Sequence, residues 1–102
     1  MVLTSRHEAG PLAVLEAAVA GVPTVGTRVG HIAEWAPDAA LGVPVGDVAA
    51  LVSAIGRLHG DEDRRLLIAS EAMRRAVAED AQFTARGFEA LYARVLASRP
   101  LR

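Results

Sequence analysis

Cysteine is absent from the chain, which removes disulfides and thiolate metal sites from consideration. A reducing, cytoplasmic setting fits that absence. Aromatic residues make up only 4%, so the core falls to valine, leucine, isoleucine and alanine. Net charge is almost missing too. Its formal value is −1 at pH 7, so no global field draws the chain to nucleic acid or to an anionic membrane. Long hydrophobic runs are lacking. The longest, Leu12 to Ala20, is interrupted by Glu16 and is too short to form a transmembrane segment. No charged-then-apolar leader opens the chain, and no Walker or GxGxxG motif, internal repeat or low-complexity linker occurs in it.

What remains is globular. The residues are 52% hydrophobic and 23% charged, a balance that folds rather than stays disordered. A length of 102 residues supports one modest core, hence one domain or a piece of one. The chain opens on Met1-Val2-Leu3, a strand with no polar lead-in. That start is expected of a chain entered in the middle of a larger fold.

The alternation of short apolar runs with helical patterns predicts an α/β fold, with a parallel Rossmann-like sheet and flanking helices. Val2-Leu3, Thr24-Val25 and Leu41–Val43 read as strands. Pro11 is placed to open a helix at its first position, with Leu12, Leu15 and Val19 as its apolar face and Gly21 as its stop. A short helix over His31–Trp35 ends before Pro37. Asp47 is expected to cap a helix carrying Leu51, Ile55 and Leu58. Asp61 is expected to cap a second, carrying Leu66, Leu67, Ile68, Met73 and Val77. Thr84 is expected to cap a third, where Phe88, Leu91, Tyr92, Val95 and Leu96 follow helical spacing. Three strands alone make a poor sheet, so an exposed edge and self-association are expected of the isolated chain.

In open parallel sheets, ligands bind at the carboxyl ends of the strands. Three loops take that position: Ser5–Gly10, Thr27–Gly30 and Gly46-Asp47. The first is the richest, with Ser5, Arg6, His7, Glu8 and Gly10 directly before a helix. Free N–H groups at that helix start suit an anion such as phosphate, and an ordinary strand–helix connection fits the same residues. Glu16 is the one polar side chain between Pro11 and Gly21. A carboxylate beside so many apolar residues calls for hydrogen bonds. A bound diol such as a ribose supplies two donors; a structural bond to backbone supplies them equally, and an exposed place at the edge of the apolar face needs neither. Asp61-Glu62-Asp63 spells Asp-x-Asp but sits at a helix start, where acids favour the dipole. His7, His31 and His59 have no metal-ligand spacing.

Glu8 and Glu16 stand in a Glu–x7–Glu spacing. Ala17, Gly21-Val22-Pro23-Thr24-Val25-Gly26, Gly30 and Glu34 follow, then Val43-Pro44-Val45-Gly46-Asp47 before an alanine- and leucine-rich helix. This ordered set resembles the signature of the group 1 (family 4) retaining glycosyltransferases of the GT-B fold, in the C-terminal, donor-binding part. The resemblance covers essentially the whole chain. It implies that residues 1–102 form a partial nucleotide-sugar-binding domain, with strand–helix units over about 1–60 and C-terminal helices over about 61–99. It implies a hexosyltransferase-type activity that transfers a glycosyl unit from a nucleotide-sugar with retention and without an essential metal or cofactor.

By the same resemblance, Glu8 is the catalytic carboxylate that contacts the transferred sugar. The backbone around Ala9, Gly10 and Leu12 meets the donor's sugar or diphosphate. Glu16 holds the ribose hydroxyls. Arg6 is a candidate phosphate contact, with Arg28 the other loop cation nearby. Pro11 departs from the family, many of whose members carry glycine there, and it removes one N–H from the anion site. The family's N-terminal acceptor domain and its phosphate-binding cations have no counterpart in this sequence, so the isolated chain is expected to be inactive. A parent protein is expected in the cytoplasm, with a peripheral membrane association as the alternative. Two other readings remain open on the residues: a non-catalytic α/β interaction module, and an inactive truncated gene product.

Overall fold

A computed structural model describes residues 1–98 of the chain; the expected end of the C-terminal helices at residue 99 lies outside the described residues. Three short strands, β1 (Val2–Leu3), β2 (Val25–Thr27) and β3 (Leu41–Val43), form one sheet in the order β1-β2-β3. Both pairings are parallel, with Val2 opposite Val25 and Val25 opposite Leu41. Parallel neighbours need crossovers, and α1 (Leu12–Val19) and α2 (Gly30–Trp35) supply them. Three longer helices follow: α3 (Val48–Gly60), α4 (Glu62–Ala78) and α5 (Ala81–Ala97). The middle strand begins one residue later than Thr24-Val25 suggests. Thr24 stays buried just before it and gives its carbonyl to the Leu41 N–H.

Two apolar clusters hold the sheet. Val14 and Ala18 of α1, Ile32 and Trp35 of α2, and Ala39, Ala40, Ala72 and Ala76 make the first. Val25, Leu41, Val43, Ala54, Leu58 and Ile68 make the second. Helix α4 serves both, with Ile68 in one and Ala72 and Ala76 in the other. Alanines on α4 let it lie close against α1. Ile32 and Val14 are fully buried, and truncating such an isoleucine to alanine removes about 2–5 kcal/mol.

Several expectations about which faces are buried need correction. Leu12 and Val19 are exposed, and α1 buries Val14 and Ala18 instead. Nearly every residue of this helix is apolar, so periodicity selects no face. Leu66, Leu67, Met73 and Val77 of α4 are also exposed. The small residues between them face the core because the neighbouring helix comes too close for larger ones. Pro11 is the N-cap rather than the first helical residue, with φ −67° and ψ 120°. The cap of α5 is Asp80, whose carboxylate accepts the Phe83 N–H at 2.8 Å; Thr84 instead lies inside the helix, its hydroxyl directed to the Asp80 carbonyl. Helix α5 buries none of its residues. Its apolar face, including Phe88, Leu91 and Tyr92, is open to solvent.

At the end of α1, Gly21 takes φ +75°. Its N–H bonds Ala18 O and the next N–H, from Val22, bonds Ala17 O, the paired closure that a left-handed glycine permits. Asp47 and Asp61 cap α3 and α4 as expected, accepting from Ala50 N and Arg64 N.

Candidate functional site

The carboxyl ends of the three strands bring together the segments Ser5–Gly10, Thr27–Gly30 and Pro44–Asp47. The buried Thr27 hydroxyl donates to the Ser5 carbonyl, tying the end of β2 to the loop after β1. The Ser5 hydroxyl in turn donates to Glu8 Oε1 at 2.7 Å. Glu8 is thereby held from two directions, because Gly30 packs under it. Gly30 has φ +51°, and an added Cβ there would stand 2.9 Å from Pro11 Cδ and 3.2 Å from Glu8 Cβ. A side chain at position 30 is thus opposed both by the backbone conformation and by the loop carrying Glu8.

Two hollows flank this loop. One, of about 460 Å³, is lined by Arg6, His7, Glu8, Ala9, Val29 and Gly30. The other, of about 180 Å³, lies over the strand ends between Thr4, Thr27, Val43 and the segment from Pro44 to Val48. Arg6 lines both. Of the sequence-derived candidates, the structure therefore gathers Arg6, Glu8 and Ala9 in one place. Gly10 lies beside it, where an added Cβ would meet His31 Nε2 at 3.1 Å.

Leu12 and Glu16 line neither hollow. Both are exposed on the outer face of α1 with Val19. For Glu16 the exposed edge of the apolar face is the reading that holds: water reaches this carboxylate, so no unmet desolvation cost demands a ligand. Its placement one helical turn beyond the α1 start still leaves it open to a molecule lying along that face.

The start of α1 has no side-chain cap and no acid in its first turn. Val14 N reaches back to Pro11 O at 3.1 Å; the amides of Leu12 and Ala13 precede it with no helical partner. The partial positive charge of this helix start is therefore met by no capping side chain.

His31 escaped the sequence reading as a site neighbour. Its ring stacks at a tilt on Trp35, with centroids 5.6 Å apart. Its Nδ1 is buried without a hydrogen-bond partner, the nearest acid being Glu34 Oε2 at 3.7 Å. No spacing pattern links residue 31 to residue 10; only the packing of α2 beside the first loop does. The Asp-x-Asp reading resolves as a cap, since Asp61 Oδ1 accepts Arg64 N at 2.9 Å. No group of three or more His, Cys, Asp or Glu among the described residues is placed to hold a metal. No helix among them is long and apolar enough to cross a membrane.

Comparison with known proteins adds a family and a fold. The family model described as glycosyl transferases group 1 matches residues 1–61. A solved structure of sucrose-phosphate synthase from Thermosynechococcus elongatus is similar over 96% of this chain, with a TM-score of 0.78 and 26% identity. The chain spans only 25% of that protein's length. No curated protein sequence matches.

Proposed function

The chain belongs to the group 1 glycosyltransferases, with the α/β architecture of a GT-B domain, and from that premise we propose that it forms the part of a retaining transferase that binds the nucleotide-sugar donor. The observation that carries this reading is the Thr27–Ser5–Glu8 hydrogen-bond chain beside an uncapped helix start. It orients a carboxylate and leaves amide donors free at the strand ends, where such sheets bind ligands.

In this reading the donor diphosphate lies at the α1 start, against the backbone of Ala9, Gly10 and Leu12 and near Arg6. Those donors are fixed before the reaction begins, so they stabilise charge developing on the departing diphosphate with little reorganisation. Glu8 faces the transferred sugar. Its carboxylate holds hydroxyls in the reactive orientation and opposes positive charge at the anomeric carbon. Glu16 lies one turn further along α1 and reaches the ribose. The acceptor is bound by a part of the transferase other than this one.

Two substitutions in the full-length transferase test the assignment. Glu16→Gln is expected to raise KM and weaken nucleotide binding, since ribose contacts persist from ground state to transition state. Loss of a charge-assisted hydrogen bond weakens binding by about 1.5–3 kcal/mol, roughly tenfold to over a hundredfold. Glu8→Gln is expected mainly to lower kcat, because its contacts strengthen as charge develops. Steady-state kinetics and direct nucleotide binding measure both. Unchanged nucleotide affinity in Glu16→Gln would remove the ribose assignment. Absence of nucleotide affinity in the unmodified protein would favour a non-catalytic interaction module.

A further inference from the structure

We propose that the open edge of β3 carries a second site, built by Arg28, Arg57 and Arg64, that binds a phosphoryl-bearing small molecule. The chain has no lysine, so each of its permanent side-chain cations is a guanidinium, and three of those on the helices are engaged. Arg74 and Arg75 share Glu71, and Arg75 also approaches Asp38. Arg65 donates to the carbonyls of Leu58 and His59. Arg28, Arg57 and Arg64 differ. Among the described residues their side chains meet no carboxylate and donate to no carbonyl. They come from three separate elements, the loop after β2, α3 and α4, and all three line one cavity of about 980 Å³.

The charge balance of that lining is uneven. Its one acid is Asp61, whose Oδ1 already accepts the Arg64 N–H. Three guanidiniums therefore face one committed carboxylate. Guanidinium forks match phosphoryl oxygens in pairs, and the cavity is in the size range of small-molecule sites.

The fold also keeps room for this arrangement. Gly42 occupies the middle of an edge strand, where glycine packs poorly and marks a close approach. A Cβ at Gly42 would lie 2.7 Å from Arg28 Cγ, so the glycine provides the lane along which the Arg28 stem crosses β3. Gly56 and Gly60 of α3 line the same cavity with nothing within 4 Å of an added Cβ. Leu41 and Val43 turn their backbone groups to β2 through Leu41 N–Thr24 O and Arg28 N–Val43 O. The alternation of a strand then turns the Gly42 N–H and C=O outward to the cavity.

The geometry favours a compact anion over an added peptide strand. The edge is only three residues long and offers one outward residue, whereas three arginines from three elements line the cavity. The cavity shares no lining residue with the two hollows at the strand ends, so the site is distinct from the proposed donor site and stands whether or not that reading does.

The test is a titration of the whole chain with pyrophosphate at constant ionic strength, followed by amide and arginine Nε NMR signals. Saturable shifts at Gly42, Arg28, Arg57 and Arg64 are expected. Arg57→Gln with Arg64→Gln should weaken binding about tenfold or more. Arg86→Gln with Arg94→Gln changes the charge equally on α5 and should leave affinity unaltered. Gly42→Ala should weaken binding without removing any charge, by displacing the Arg28 stem. The proposal is overturned by shifts confined to Ser5–Ala13, which place pyrophosphate at the donor site. It is overturned equally by no saturable shift, by equal loss in the two double variants, or by a glutamate-rich peptide shifting these signals where pyrophosphate does not.

Discussion

The residues from Met1 to Pro44 and those from Val45 to Ser98 are held in shape by different means. In the first stretch four of the five glycines, Gly10, Gly26, Gly30 and Gly42, are wedged, and Gly21 is held by its positive φ. An added Cβ at Gly10, Gly21, Gly26, Gly30 or Gly42 meets a neighbour, and neither α1 nor α2 has a side-chain cap. In the second stretch Gly46, Gly56, Gly60 and Gly87 have open space around them, and α3, α4 and α5 each begin with a capping aspartate. The difference separates two ways of specifying a backbone. Local signals suffice where helices only need to start and stop. Close contact between distant segments is needed where loops must converge and leave polar groups free for a ligand.

The strongest test of that contrast is Gly26→Ala. Its Cβ would fall on the Leu3 carbonyl of the paired strand and 3.0 Å from Ile32 Cδ1. Backbone cannot yield as a side chain does, so a loss of about 3 kcal/mol or more is expected, read as a lower denaturation midpoint. Gly87→Ala is the counterpart in α5. It is expected to raise helicity, with a local gain of up to about 1 kcal/mol, measured by circular dichroism. A comparable loss in both variants would break the contrast.

Capping gives the next pair. Asp61→Ala removes an occupied cap, with an expected cost of about 1 kcal/mol in thermal unfolding. Pro11→Ser adds one to α1 and is expected to stabilise by about 0.5–1 kcal/mol. The new hydroxyl competes for the amides that the proposed diphosphate uses, so nucleotide affinity should fall as stability rises. A rise in both would show that the free helix start has no part in binding.

The smallest effect concerns acid. Hydrogen bonds from Arg74 and then Arg75 hold the Glu71 carboxyl at about 2, below its ordinary 4.5. A depressed folded-state value stabilises the fold above the unfolded value and is lost as pH falls through the folded one. Glu71→Gln should therefore lower the melting temperature slightly at neutral pH, a deficit that vanishes as pH falls from 4.5 to about 2, and both effects are small because the group is solvent-accessible.

Elements whose cause is local were legible in the sequence. Asp47, Asp61 and Gly21 announce helix ends by residue type alone, and the alternation of strands and helices announces a parallel sheet. Thr84 misled because Asp80, four residues earlier, offers a second capping side chain, and only the observed Phe83 N–H contact decides between them. The buried side of α1 was illegible for the opposite reason. Its residues are so uniformly apolar that Leu12 and Val14 carry equal signal, and the alanines of α4 choose between them. Within the site, the alternation of strands and helices puts Thr27–Gly30 at the same sheet end as Ser5–Gly10, whereas the Ser5–Glu8 bond and the approach of His31 come only with the folded structure.

The open face of α5 has a consequence for how the molecule comes apart. Helices α4 and α5 are both 17 residues long and both capped by aspartate. Helix α4 carries Ile68, Ala69, Ala72 and Ala76 into the interior, while α5 carries nothing. Amides of α4 are therefore tied to global unfolding, and those of α5 open on their own at little free-energy cost. Amide hydrogens of equal-length helices should exchange on widely separated timescales. A protease cutting near Glu79-Asp80 would release the last helix and leave the sheet folded, so the chain unfolds cooperatively as one unit with a helical appendage rather than as a single block.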